Sequence, residues 1–261
     1  MNIICCIKQV PSTETKIRIN SQTGFVDTTE VEWVINPYDE YAIETALRIK
    51  EKLGTGKVTA ISLGPERVKM ALRTALAMGV DEAVQLSDPA FEGIDALSLG
   101  KVLAAAIKRL GFDLVLCGKQ AIDDDMAFVP QAVAHFLGIG YVAVVPEVEV
   151  TPGSREVVAH REIEGATEIV QMQLPGLLTI QKGKYQPRYP TLKLMMAAKR
   201  KEIPVWNAKE LGIDPATLTR LVVEIKHQLP PGRKPGRMLE GELNQVVPEL
   251  VRLLREEAKI I

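Results

Sequence analysis

Cysteine and histidine are scarce in this chain of 261 residues, with three of each. Cys5 and Cys6 are adjacent, so on a strand their side chains face opposite ways and cannot form a two-ligand metal face. Cys117 stands alone, and no Cys-x-x-Cys spacing exists. His135, His160 and His227 are scattered at spacings that suit neither a zinc site nor a serine-histidine hydrolase. There is no basic excess, since the formal net charge is -1, which argues against a general nucleic-acid binder. No apolar run reaches the roughly 20 residues needed to span a bilayer, so no direct membrane insertion is expected. The chain begins directly on an apolar strand without a basic leader or cleavage site, and a cytoplasmic protein is the expectation. Both familiar nucleotide fingerprints are missing: Gly118-Lys119 is followed by Gln120 without the upstream glycine of a Walker A loop, and no Gly-x-Gly-x-x-Gly occurs.

What is present is a repeated alternation of strand and helix signals over the first 125 residues. Apolar strands are expected at Ile3–Ile7, Lys57–Ser62, Glu82–Leu86 and from Leu114 into Gly118. Between them fall helices at 38–53, opened by Asn36-Pro37, at 66–78 and at 96–110. The first carries Ala42, Ile43, Ala46 and Leu47 on one stripe. Such alternation predicts an α/β fold with a doubly wound, mostly parallel sheet covered on both faces. From Val142 the period changes to two, at Glu147–Val150 and Val170–Leu174 with the shorter run Val157–Ala159 between, which predicts antiparallel edge hairpins. Gly176–Ile180 reads as one more buried strand, and 188–201 as a helix with a basic end.

Pro230-Pro-Gly-Arg-Lys-Pro-Gly236 is a linker signal. It divides a nucleotide-binding α/β domain, 1–229, from a C-terminal extension, 230–261. There Glu240–Lys259 predicts an amphipathic helix with Leu243, Val247, Leu250, Val251 and Leu254 on one face. Pro248 must kink that helix or open a second one. A single helix has no core of its own, so it must dock on this domain or on another chain.

The loop after Cys117 draws attention to function. Ligands of open parallel sheets bind at the carboxyl ends of strands, where Cys6, Leu63 and Gly118 all fall. Loop amides and the start of the helix at Val129 offer donors to an anion without a lysine, and Gly118 allows close backbone approach. Asp123-Asp124-Asp125 suits helix capping and first-turn acids, with a ribose hydrogen bond or Mg²⁺ as functional alternatives.

Six ordered motifs closely resemble the beta subunit of electron transfer flavoproteins over about residues 1–220. They are Lys8-Gln-Val-Pro11, Asn36-Pro-Tyr-Asp-Glu40, Ser62-Leu-Gly-Pro65, Arg73-Thr-Ala-Leu-Ala-Met-Gly79, Gly118-Lys-Gln-Ala-Ile-Asp-Asp-Asp125 and Pro187-Arg-Tyr-Pro-Thr-Leu192. The resemblance implies a heterodimer with an alpha subunit that holds the redox-active FAD. It implies electrons taken from acyl-CoA or other dehydrogenases and passed to a quinone oxidoreductase or another acceptor, so an electron carrier rather than an enzyme. The beta pocket holds a structural AMP in ordinary members and a second FAD, reacting with NADH, in electron-bifurcating ones. Residue by residue, the implied pocket is Cys6, then Asn36, Pro37, Tyr38 and Asp39, then Leu63. It continues through Gly118, Lys119, Gln120, Ala121, Ile122, Asp123, Asp124 and Asp125 to Met126, Ala127, Phe128 and Val129. Leu192 matches the apolar anchor that docks on partner dehydrogenases. No catalytic residue and no metal ligand is implied. This sequence departs from ordinary members at Ala127-Phe128-Val129, where they carry a polar Asn-Gln-Thr run, and at Thr13, where they carry an aromatic. A stand-alone adenine-nucleotide sensor or ATP-cleaving enzyme is the reading from another class, with Lys119 its only placed cation.

Overall fold

The computed structural model of the protein describes residues 1–233 and 235–261, so Lys234 of the linker lies outside the described residues. In chain order the first strands and helices are β1 (Asn2–Cys6), β2 (Gln9–Pro11), β3 (Trp33–Ile35), α1 (Pro37–Leu53), β4 (Lys57–Leu63), α2 (Val68–Met78), β5 (Glu82–Leu86), α3 (Ala96–Leu110) and β6 (Leu114–Gly118). Then come α4 (Val129–Leu137), β7 (Gly140–Val145), β8 (Glu147–Val150), β9 (Glu156–Ile163), β10 (Ala166–Gln173), β11 (Gly176–Ile180), α5 (Leu192–Arg200), β12 (Val205–Trp206) and α6 (Leu243–Glu256).

Seven parallel strands form the central sheet in the order β12-β5-β4-β1-β6-β11-β7. Alternation along each strand divides the core between the two faces. Ile3 and Cys5 pack with Ala42, Leu47 and Leu72 of α1 and α2. Ile4 packs with Val102, Ile107 and Val133 of α3 and α4 on the other side. The sheet is therefore doubly wound, as the βα alternation predicts. The chain goes from β1 outward through β4 and β5, then returns beneath the sheet through α3 to β6 on the opposite side of β1. The strand order thus reverses between β1 and β6, and a crevice opens above their carboxyl ends.

The antiparallel strands expected after Val142 form a sheet of their own, ordered β10-β9-β8. The stretch from Gly140 to Val145 does not join them: it runs parallel beside β11 as the edge strand β7. A bulge interrupts that pairing near Val144, whose φ is 62°. A second small ribbon, β2 with β3, and the two-residue strand β12 had no counterpart in the sequence pattern. They are too short to establish a period. The 188–201 helix begins only at Leu192, because Thr191 caps it by accepting from Leu194 N at 3.3 Å.

Pro248 neither ends α6 nor opens a second helix; it sits inside one continuous span. No residue of α6 is buried, and Leu243, Val247, Leu250 and Val251 of its apolar face are exposed. Among the described residues, this face has no core to pack on. No helix of the described residues is long and apolar enough to cross a membrane.

Candidate functional site

A cavity of about 840 Å³ lies at the β1/β6 switch point, on the α3/α4 side of the sheet. Cys6 and Cys117 pair in register across the two strands and form its floor. The Cys6 thiol's hydrogen bond and burial push the Cys117 thiol well above its usual pKa. Cys5 faces the other way, into α1, and burial raises its pKa also. A thiol held protonated is a poor nucleophile, so Cys5 and Cys117 pack rather than react.

Asn36 occupies the N-cap position of α1, with Pro37 at the first helical position as expected. Its side chain, however, does not cap the helix. Asn36 Nδ2 donates to Gln120 O at 2.9 Å, and its Oδ1 accepts from Ile122 N at 3.2 Å. The amide therefore fastens the loop after β6 to the start of α1.

Asp39 makes a second fastening at greater depth. Its Oδ2 accepts from Lys8 N at 2.7 Å and its Oδ1 from Gly118 N at 3.0 Å. One buried carboxylate thus ties the ends of β1 and β6 to α1. Burial pushes the Asp39 carboxyl up to about 7, against the opposing pull of those two N–H groups.

Gly118 is explained by the same packing. A Cβ there would stand 2.3 Å from Asp39 Oδ1 and 2.8 Å from Tyr38 Cβ. The close backbone approach expected at this glycine is made by α1 on its Cβ side, while Gly118 also lines the cavity.

The acidic triplet does not cap α4, contrary to the expectation from the sequence. Helix α4 starts with Phe128 as N-cap, has no acidic residue in its first turn, and receives no side-chain cap. Asp123, Asp124 and Asp125 precede it by three to five residues and do other work. Asp123 and Asp124 clasp Lys8 Nζ at 2.8 and 2.9 Å. Partial burial opposes the charge on Lys8, but the two carboxylates outweigh it and raise the ammonium pKa. Asp124 Oδ1 also accepts from Met126 N at 3.0 Å, and Asp125 Oδ1 from Gln120 Nε2 at 2.6 Å. Among the described residues no group of carboxylates, histidines and cysteines is placed to hold a metal.

The clasp leaves the helix start free for an anion. The N–H groups of Ala127, Phe128, Val129 and Gln131 donate to nothing among the described residues, and Pro130 has none to offer. Asp125 and Ala127 hold φ angles of 49° and 50°, a left-handed backbone that costs non-glycine residues energy and bends the loop around the cavity.

Of the residues singled out in the sequence, Cys6, Asn36, Asp39 and Leu63 line the cavity, and so do Gly118, Gln120 and Ala121. The same is true of Asp124 and of Met126 through Val129. Pro37, Tyr38, Lys119, Ile122, Asp123 and Asp125 do not line it. Lys119 instead places its ammonium 5.2 Å from the centre of the Tyr38 ring, a cation–π contact beside the cavity. Sequence reasoning missed Lys8 with Ile7, the 93–95 loop with the inner face of α3, Pro130 and Val133 of α4, and the segment 220–224 with Phe25 beside it. The 93–95 loop lies between β5 and α3, so the strand-end rule that selected Gly118 would have found it. Nothing local marks 220–224.

Leu192 lies away from the cavity and is 73% exposed at the first position of α5, with Tyr189 exposed before it. The segment leading to it is tied down by Arg188, which is bonded to Glu44 and Glu51 of α1.

Residues 23–211 match the model of the electron transfer flavoprotein domain. The chain belongs to the electron transfer flavoprotein family, as a beta subunit. It is 39% identical to the electron transfer flavoprotein subunit beta of Bacillus subtilis, with all of both chains covered. It is 36% identical to the caffeyl-CoA reductase-Etf complex subunit CarD of Acetobacterium woodii, over 98% of this chain and 99% of that one. Protein FixA of Azotobacter vinelandii is 36% identical over 82% of this chain and 77% of its own. Family membership makes electron transfer the role of the chain, and the cavity is then the feature that asks for a ligand.

Proposed function

We propose that the chain is one half of a heterodimeric electron carrier, in which an alpha subunit holds the redox-active FAD and this subunit holds AMP as a structural ligand. Electrons come from acyl-CoA or other dehydrogenases and leave to a quinone oxidoreductase or another acceptor. The bound FAD supplies the redox chemistry; this chain supplies binding, shape and docking. The observation that carries the reading is the cavity at the β1/β6 switch point, whose walls are bolted together by Asn36 and Asp39. The free N–H groups at the start of α4 suit a phosphate, and apolar Leu63, Phe128 and Val133 suit a base. AMP in this cavity stabilises the subunit because it binds only the folded state. The exposed face of α6 docks on the alpha subunit, which removes the apolar surface this chain cannot cover itself.

A second reading places FAD in the same cavity, with NADH as donor. Two features favour it: the apolar Ala127-Phe128-Val129 run, and a volume near the upper end of the roughly 300–1,000 Å³ usual for ligand pockets. Denaturing the purified heterodimer and chromatographing the released nucleotides separates the two. One FAD with AMP is expected; two FAD would establish the second reading, and absence of any flavin would sink both.

Leu192 is the docking anchor in this account, an apolar side chain flanked by Lys193 and, at the end of α5, Lys199 and Arg200. An exposed apolar group ringed by charge suits a brief, steered encounter. Leu192→Ala is expected to slow flavin reduction by a partner dehydrogenase about 30-fold, the effect of losing one interface hot spot. Dithionite reduction and Tm should stay at wild-type values. Equal rates with the dehydrogenase would show that this leucine is only a surface residue.

A further inference from the structure

The segment 219–227 bends at Leu221 and Val222 and runs along the wall of the cavity without strand partners, and its hydrogen bonds to the rest of the fold are confined to its two ends. At the first end Ser98 Oγ donates to Thr219 O at 2.7 Å, and Leu221 N donates to Asp95 Oδ2 at 2.7 Å. Arg220 Nη2 donates to Glu92 O at 2.6 Å, and its guanidinium lies over Gly93, where a Cβ would come within 2.5 Å of Nη2. At the far end His227 N donates to Gly24 O at 2.8 Å, and the His227 and Phe25 rings meet edge to face at 5.3 Å. Between these anchors Leu221, Val222, Val223 and Ile225 are 64–84% exposed, although all are apolar. Residues 221–224 line the cavity.

We propose that 219–227 is a strap that closes one wall of the nucleotide site, lying against the base or ribose, and that it must detach for the nucleotide to leave. The proposal rests on the reading of the cavity as a nucleotide site. Three apolar side chains at the cavity wall, Leu221, Val222 and Val223, stay in water unless something beneath them excludes it, and a flat, weakly hydrated base does so. The strap's main chain adds donors and acceptors for the edge of that base, because no strand takes them up. Asp95 is the positioning residue. Its Oδ1 accepts from Ser98 N at 2.9 Å and caps α3, while its Oδ2 holds the strap, so the first anchor is built into a rigid helix start.

The test uses the intact heterodimer loaded with radiolabelled AMP and, in parallel, radiolabelled FAD, diluted into unlabelled nucleotide. Leu221→Pro removes the N–H that Asp95 accepts and leaves the α3 cap in place; Phe25→Ala weakens the far anchor. Each is expected to raise the release rate about tenfold or more, as suits loss of one hydrogen bond to a charged acceptor or of one half-buried ring packed edge to face. The alpha-bound flavin absorbance should not change. Trypsin cleavage after Lys226 in the wild type is expected to slow about tenfold when the cavity is loaded. Unchanged release in both variants, or cleavage indifferent to nucleotide, overturns the strap alone. A wild-type heterodimer that holds neither AMP nor FAD in this subunit overturns the nucleotide reading and the strap together.

Discussion

Arg188→Ala should lower stability by about 3 kcal/mol, the low end of the cost of stranding a buried charge. Glu44 is the stranded group: its side chain is only 1% exposed in the middle of α1. Arg188 Nε and backbone N both donate to Glu44 Oε2, at 2.7 and 3.1 Å, and Nη2 reaches Oε1 at 3.1 Å. The same guanidinium holds Glu51 at 2.6 Å. Arg48 Nε remains on Glu44 at 2.6 Å in the variant, which is why the low end of the range is chosen. Over a chain of this length the expected fall in Tm is about 6–12 °C. Burial alone would raise the Glu44 pKa, but the Arg188 bonds and charge hold it below the ordinary carboxylate value. The pair therefore stabilises the fold above the unfolded carboxylate pKa of about 4.3, and that stability is lost as pH falls through the lowered folded value. In Arg188→Ala the acid limb of unfolding should begin at higher pH. Adding Glu44→Leu should restore most of the lost Tm, because no unpaired charge then remains inside. A single variant that melts with the wild type would refute the account. Since Arg188 also fixes the segment leading to Leu192, dehydrogenase-driven reduction should slow along with the loss of stability.

The second large effect is expected at Asp39. Asp39→Ala leaves the buried N–H of Gly118 without an acceptor, at about 1–3 kcal/mol, and the part-buried N–H of Lys8 as well, at a smaller cost. Asp39→Asn turns one acceptor into a donor facing an N–H, so about half of that loss should appear. Nucleotide should leave more readily from both, because the ends of β1 and β6 are no longer tied to α1. The pH profile supplies an independent check. Burial raises the Asp39 pKa to about 7 in the fold, so the folded chain binds a proton that the unfolded chain has lost above about pH 4. That contribution to stability is complete below pH 4 and disappears as pH rises through 7. Asp39→Asn should flatten this window while leaving the Glu44 limb at lower pH intact. Equilibrium unfolding across pH 4–8 measures it, and an unchanged slope in the variant would rule out Asp39 as its source.

Much of the fold was legible because its signals are local and periodic. Helix α3 and strands β5 and β11 begin and end where the apolar pattern places them, and Asn36-Pro37 marks the start of α1. The short elements were not legible: β12 is two residues long, and β7 is a short apolar run that leads after one residue into an antiparallel strand. Only its neighbour, β11, decides that it runs parallel.

The site divided in the same way. By itself the sequence determined the doubly wound sheet and the convergence of Cys6, Leu63 and Gly118 at strand ends, because both follow from residue order and period; the family was legible only through the resemblance of six ordered motifs. Tertiary structure decided what each side chain does there. Asn36 stopped being a cap and became a tie to the loop, Gly118 made room for α1, and Asp123 and Asp124 of the acidic triplet turned from a helix start toward Lys8, 115 and 116 residues away. It alone brought 219–227 over the cavity. The physical reason is range. Periodicity and capping depend on neighbours a few residues apart, whereas a buried carboxylate or a strap is satisfied by whichever distant backbone the packing brings within 3 Å.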